Sequence, residues 1–313
     1  MAPLVRLLVL PCLGVFLVLL CLATQLLLDV LQIPLDLQAN RGAGQVLFYL
    51  LMLGGVFLFV RFIWNQHVMI SLARTYANPA NRLRVVRGFL IGAGTAVTAG
   101  VATYCVFLRF GAAVVHPNGL AQLNFNRITD AFLVLLIIPI MVATEELIFR
   151  VFIYNYLRGD AGRSSKTSAI LVANLGSAFI FAFSHGFREP LSWLEPDNAM
   201  LFVGLFLLGI LLALAYEFSG SLTVNMGLHT GFLWTKVPRR CEVILLHQKS
   251  HWWAGVADDP RTAPFVWGLF VVVMIGVYAF RRRLFRIAAV ESNETATNFA
   301  TARATLLRPR LSA

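Results

Sequence analysis

The sequence predicts an all-α polytopic membrane protein, a bundle of about eight transmembrane helices. Three observations carry this: hydrophobic residues make up 58% of the 313 positions and charged ones 13%, with a mean hydropathy of +0.75, far more apolar than soluble domains are. The third is the length of the uncharged runs. Crossing a hydrocarbon core of about 30 Å takes ~20 helical residues, and seven stretches approach that: 7–28, 42–60, 88–108, 167–184, 198–216, 218–235 and 262–280. An eighth, 131–144, reaches that length only by continuing through Glu145, Glu146 and Arg150 to about Leu157.

Arg6 precedes the first run as in a secretory signal, but the run exceeds the ~7–15 apolar residues of a signal core and lacks an Ala-x-Ala site, so it reads as a retained anchor. The gaps between spans, the longest at 65–87 and 236–261, are too short for a soluble domain. Residues 1–129 therefore read as about three N-terminal spans, 130–236 as a core, 237–286 as an interfacial loop with the last span, and 287–313 as a disordered tail rich in Ala, Thr, Asn and Ser. Cys12, Cys21, Cys105 and Cys241 have neither CxxC spacing nor disulfide density and read as small packing residues.

The net charge of +11 is spread over loops and helix ends, which suits anionic lipid headgroups and not nucleic acid. Arg6, Arg74, Arg82, Arg84, Arg87, Arg158, Arg163, Lys166 and the run "RRRLFR" (281–286) share one face, which the positive-inside rule makes cytoplasmic along with both termini. The 236–261 loop dissents, with Lys236, Arg239, Arg240, Lys249 and Arg261 on the outer side. Within it "HQKSHWW" (247–253) reads as a headgroup-level segment, and His247 and His251 as interfacial histidines without a third metal ligand. No internal repeat and no matching pair of broken spans suggests a transporter.

A charge at bilayer depth costs roughly 2.5–3.5 kcal/mol on insertion scales, so the three in "ATEELIFRVF" (143–152) call for an account. Glu146 and Arg150 stand at i,i+4 and can neutralise each other, whereas Glu145 points elsewhere without a local partner. Two other spans carry a histidine each: His185 in "FIFAFSHG" and His229 in "TVNMGLHTGF". One carboxylate and two imidazoles can activate water and hold an oxyanion, or bind a divalent metal such as zinc as His₂Glu; alone, either histidine could simply lock two helices. If the spans were straight rods, Glu145 and His229 would lie in the cytoplasmic half and His185 near the outer face.

"EELIFR", "FAFSH" (181–185) and "SGSLTVNMGLHTGF" (219–232), each inside a span and in this order, resemble the three motifs of the CAAX-protease and bacteriocin-processing (CPBP/Abi) family of intramembrane endopeptidases, over about residues 130–234. The resemblance implies an eight-helix bundle. It also implies that Glu145 and His185 polarise the attacking water, that Glu146 pairs with Arg150 to hold the site, and that His229 binds the oxyanion. The family is described both as metal-dependent, with Glu145, His185 and His229 as ligands, and as glutamate-type; without an HExxH signature the metal-free version is favoured. Many members place Asn or Asp four residues after the third-motif histidine, where this chain has Leu233; Asn225, four residues before it on the same helical face, is the candidate substitute amide.

The implied partner is a membrane-embedded or lipid-anchored peptide or protein. The resemblance, with an Arg-rich composition, points to a bacterial inner membrane. Two other functions fit the same residues: a non-catalytic scaffold or bacteriocin-immunity-like protein in which the motifs only fasten helices, and a proton-coupled transporter using the Glu/His/Arg set as a relay.

Overall fold

An apolar run in hydrocarbon has no water to satisfy its backbone, so each closes its own hydrogen bonds as a helix. The computed structural model describes residues 3–31, 43–59, 78–119, 125–158, 167–185, 195–246, 252–255 and 259–284. Its helices are α1 Pro3–Val30, α2 Ala43–Phe59, α3 Pro79–Arg109, α4 Phe125–Glu146, continued by a π-helix Leu147–Tyr154 and a last turn α5 Asn155–Arg158, then α6 Thr167–Ser184, α7 Pro196–Ser219, α8 Leu222–Trp234, the short α9 Val237–Arg240, and α10 Pro264–Leu284. The protein is an all-α polytopic membrane protein. Among the described residues four helices are long and apolar enough to cross a membrane: Asn81–Arg109, Ala131–Arg158, Thr167–Ser184 and Pro196–Ser219. Large apolar side chains such as Leu22, Leu26, Leu90, Leu171, Phe179, Val272 and Ile275 are exposed, as lipid-facing positions must be.

Three features differ from the sequence expectation. The run 218–235 is not one span: Gly220, at φ 59°, ends α7 in the left-handed region, and α8 starts after Ser221 and is only 13 residues, about 20 Å, long. Second, Arg82, Arg84 and Arg87, expected in a loop, ride on the first turns of α3. Third, the bundle carries a two-stranded antiparallel ribbon, β1 Ala113–Val115 with β2 Ile244–Leu246, pairing Ala113 with Leu246 and Val115 with Ile244. The ribbon ties the end of α3 to the loop after α8. In that loop Trp253 packs against the rings of Phe107, Phe110 and Phe265. His247, His251, Arg74, Arg163, Lys166, Lys249 and the 287–313 tail lie outside the described residues.

α3 and α8 are held together by small residues. A Cβ on Gly92 would overlap the Val224 carbonyl, one on Gly227 the Phe89 carbonyl, and one on Gly231 would stand 2.6 Å from the Ala93 carbonyl oxygen. Gly92 and Ala96 on α3 meet Gly227 and Gly231 on α8, and Gly100 meets Thr235 one turn further on, at four-residue spacing, the pattern that lets membrane helices meet backbone to backbone. α6 meets α7 the same way at Gly209, whose added Cβ would lie 2.9 Å from Ala178 Cα.

Candidate active site

The flush contact with α3 fixes the rotation of α8, and that turns Asn225 and His229 inward, exposed by 0% and 2%. Both reach Glu146, the last residue of α4. His229 Nδ1 stands 2.8 Å from Glu146 Oε1, and Asn225 Nδ2 donates to Oε2. Arg150 Nε lies 3.4 Å from the same Oε2, with both side chains fully buried, while its Nη2 donates to the Gly209 carbonyl at 3.3 Å. The guanidinium also sits over the Phe181 ring, 5.1 Å from its centroid. One buried carboxylate thus gathers a cation, an amide and an imidazole from two helices, the compensation a charge needs in low dielectric.

Glu145 is treated differently although it is adjacent. Its side chain is 22% exposed, and its Oε2 stands 3.6 Å from His229 Nε2, outside hydrogen-bond length. Glu145 Oε2 has no hydrogen-bond partner. His229 therefore lies between the two carboxylates, its Nδ1 committed to Glu146 and its Nε2 turned toward Glu145. The Nδ1 contact assigns that nitrogen the donor role.

His185, the first residue after α6, has its Nδ1 2.8 Å from the Phe181 carbonyl oxygen. Phe181 lies between the two imidazoles, with ring centroids 4.6 Å from His185 and 5.7 Å from His229, and Glu145 acts electrostatically on the His185 ring. α8 is a short helix and not a full crossing, so the straight-rod picture does not hold for His229. Asn225 also departs from its expected place: its amide nitrogen is spent on Glu146, leaving only Oδ1 unpartnered. Leu233 packs among Val134, Ile138 and Val142 of α4. Among the described residues no three His, Cys, Asp or Glu side chains are grouped closely enough to hold a metal ion as they stand.

Two contributors carry weaker sequence signals. Leu147–Tyr154 forms a π-helix, all eight residues buried, and π-segments often mark functional sites. Where its wider turn reverts to α-helix, Asn155 Nδ2 donates to the carbonyls of Arg150 and Val151 at 3.1 and 3.0 Å. Beside it Tyr154 and Arg158 both donate to Glu217 Oε2, at 2.6 and 2.7 Å. An Asn at the end of a charged span and a Glu three residues before a Gly stop were the available cues; nothing in the hydropathy separates a π-turn from an α-turn.

A bundle of long apolar helices in which Glu145, Glu146, Arg150 and His229 meet between helices, with His185 on the other side of the Phe181 ring, defines an integral membrane protein with a cluster of ionisable groups inside it. Residues 126–235, the stretch that holds Glu145, Glu146, Arg150, His185, Asn225 and His229, match the family model described as Type II CAAX prenyl endopeptidase Rce1-like. No curated protein and no solved structure matches the chain.

Proposed function

We propose that the protein is an intramembrane endopeptidase in which Glu145 is the general base and a water molecule the nucleophile. The observation that carries this reading is the asymmetry of the adjacent glutamates: Glu146 is sealed and fully partnered, whereas the Glu145 side chain is partly exposed and its buried Oε2 is unpartnered, 3.6 Å from His229 Nε2. A water near both atoms would lose its proton to Glu145 as its oxygen attacks the scissile carbonyl. That proton would then pass to the departing amine, giving one carboxylic acid and one amine. His229, its Nδ1 held by Glu146, would serve the oxyanion as an imidazolium donating from Nε2, with His185 across Phe181 beside it. Arg150 neutralises Glu146, so the pair supports the site and does not react.

The substrate would be a membrane-embedded or lipid-anchored peptide, as the description of the matching family implies, and the enzyme would sit in a bacterial inner membrane. The test compares processed peptides in membranes of cells carrying wild-type protein or Glu145→Gln. The expected result is a folded variant with at least about a hundredfold loss of processing, the usual scale for a general base. A variant that processes normally sinks the reading; one that unfolds favours the scaffold reading, in which the motifs only bind helices.

A further inference from the structure

A carboxylate on an apolar helix is costly unless it is paired, and Glu217 of α7, whose side chain is 11% exposed, is paired twice. Its Oε2 accepts from the Tyr154 hydroxyl at 2.6 Å and from Arg158 Nη1 at 2.7 Å. Tyr154 is the last residue of the π-helix and Arg158 the last of α5. One oxygen therefore clamps the end of the segment that carries Glu145, Glu146 and Arg150.

The clamp is the last rung of a ladder. Arg150, Tyr154 and Arg158 recur every four residues, and so do Gly209, Ala213 and Glu217 on α7. Arg150 Nη2 donates to the Gly209 carbonyl at 3.3 Å, and Tyr154 and Ala213 are buried in one cluster with Ala173. Asn155 adds a cross-tie, its Nδ2 donating to the Tyr216 hydroxyl oxygen at 3.2 Å. Apolar contacts have little direction and tolerate sliding, whereas a short charge-assisted bond does not. Register is thus set at Glu217 and felt at Arg150, where a slip of one turn, about 5.4 Å, would take the guanidinium off the Gly209 carbonyl.

Glu217 also stands three residues before Gly220, the corner from which α8 departs with Asn225 and His229. That corner is itself tied: the Gly220 N–H donates to the Tyr216 carbonyl, and the Ser221 N–H to Ser219 Oγ at 3.0 Å. The two halves of the site, Glu145 and Glu146 from α4 and His229 from α8, therefore share an anchor outside the site. We propose that Glu217 is a positioning residue: by holding Tyr154 and Arg158 it fixes the register of α4 on α7, and so the direction in which Arg150 and Glu146 present His229 to Glu145. The effect on register stands by itself; the effect on turnover rests on the endopeptidase reading.

The test uses the full-length chain in nanodiscs, its four cysteines replaced by alanine, with nitroxides on Leu136→Cys of α4 and Val203→Cys of α7, both exposed positions. Double electron–electron resonance between them reads the register without any substrate. Glu217→Ala should shift or broaden that distance, and Tyr154→Phe, which removes one donor and keeps the ring, should do so less. Glu217→Gln, which keeps an acceptor oxygen for both donors, should restore the wild-type distribution. The peptide whose processing separates wild type from Glu145→Gln serves as the substrate probe. Glu217→Ala should lower its kcat at least about tenfold with KM within about twofold, because the residue acts on the geometry of the site and not on the substrate, and Glu217→Gln should recover most of that loss. If Glu217→Ala does not fold, Tyr154→Phe is read in its place. An unchanged distance overturns the proposal, as does a shifted distance with undiminished kcat, or a loss carried by KM. If no peptide depends on Glu145, the endopeptidase reading fails, while the distance still decides whether Glu217 sets the register.

Discussion

Replacing Glu146 by Gln keeps the shape of the side chain and removes one charge, which leaves Arg150 buried beside a neutral amide. Both side chains are fully buried, and the remaining polar contact of the guanidinium is the Gly209 carbonyl at 3.3 Å. Breaking a buried pair by removing one partner costs about 3–5 kcal/mol, and because Gln can still bond His229 and Asn225 the lower end applies. Glu145→Gln touches a partly exposed side chain whose Oε2 is 3.6 Å from the His229 ring nitrogen Nε2, so it should cost under about 1 kcal/mol. Equilibrium unfolding of the purified protein in mixed detergent–SDS micelles, followed by helical circular dichroism, measures both. Glu146→Gln combined with Arg150→Met removes the two charges together and should recover part of the loss. The reasoning is refuted if Glu146→Gln stays within about 1 kcal/mol of wild type, or if the two glutamate variants lose stability equally.

Other consequences follow from the same contacts. Gly227→Ala sets a methyl into the Phe89 carbonyl and should cost about 1–3 kcal/mol in the same unfolding assay, whereas Gly94→Ala, with nothing within 4 Å, should be neutral or slightly stabilising. Asn225→Asp places a second carboxylate against Glu146 and should destabilise more than Asn225→Ala at pH 7, the gap shrinking as the pH falls and the added acid protonates. Lys236 is held near 7 in the folded protein against an ordinary 10.5, so between those values the unfolded chain binds the extra proton. Stability should therefore rise with pH across that window, and Lys236→Met should flatten the rise in a pH series of melting temperatures. Asn155→Ala frees the Arg150 and Val151 carbonyls and should cost about 1–2 kcal/mol by detergent unfolding.

What the sequence conveyed and what it withheld divide along physical lines. Hydropathy located α6 to the residue, 167–184, because a lipid-facing run must be uncharged along its whole length. It misjudged 218–235 because one left-handed glycine breaks a helix without altering hydropathy. The i,i+4 relation predicted the Glu146–Arg150 contact, which is local. The attachment of His229 and Asn225 to Glu146, 83 and 79 residues away, depends on how α8 is rotated, and that rotation is set by glycine contacts between helices. The Gly-x-x-x-Gly spacing of Gly227 and Gly231 was visible, but its partner surface on α3 was not.

The π-helix has a consequence for traffic. Every one of its eight side chains is buried, including the Arg150 guanidinium, so this column of the bundle presents no flank to lipid. A guest arriving sideways from the bilayer would find no doorway along it. Of the two adjacent glutamates before it, only Glu145 keeps some side-chain exposure, and its Oε2 is itself buried.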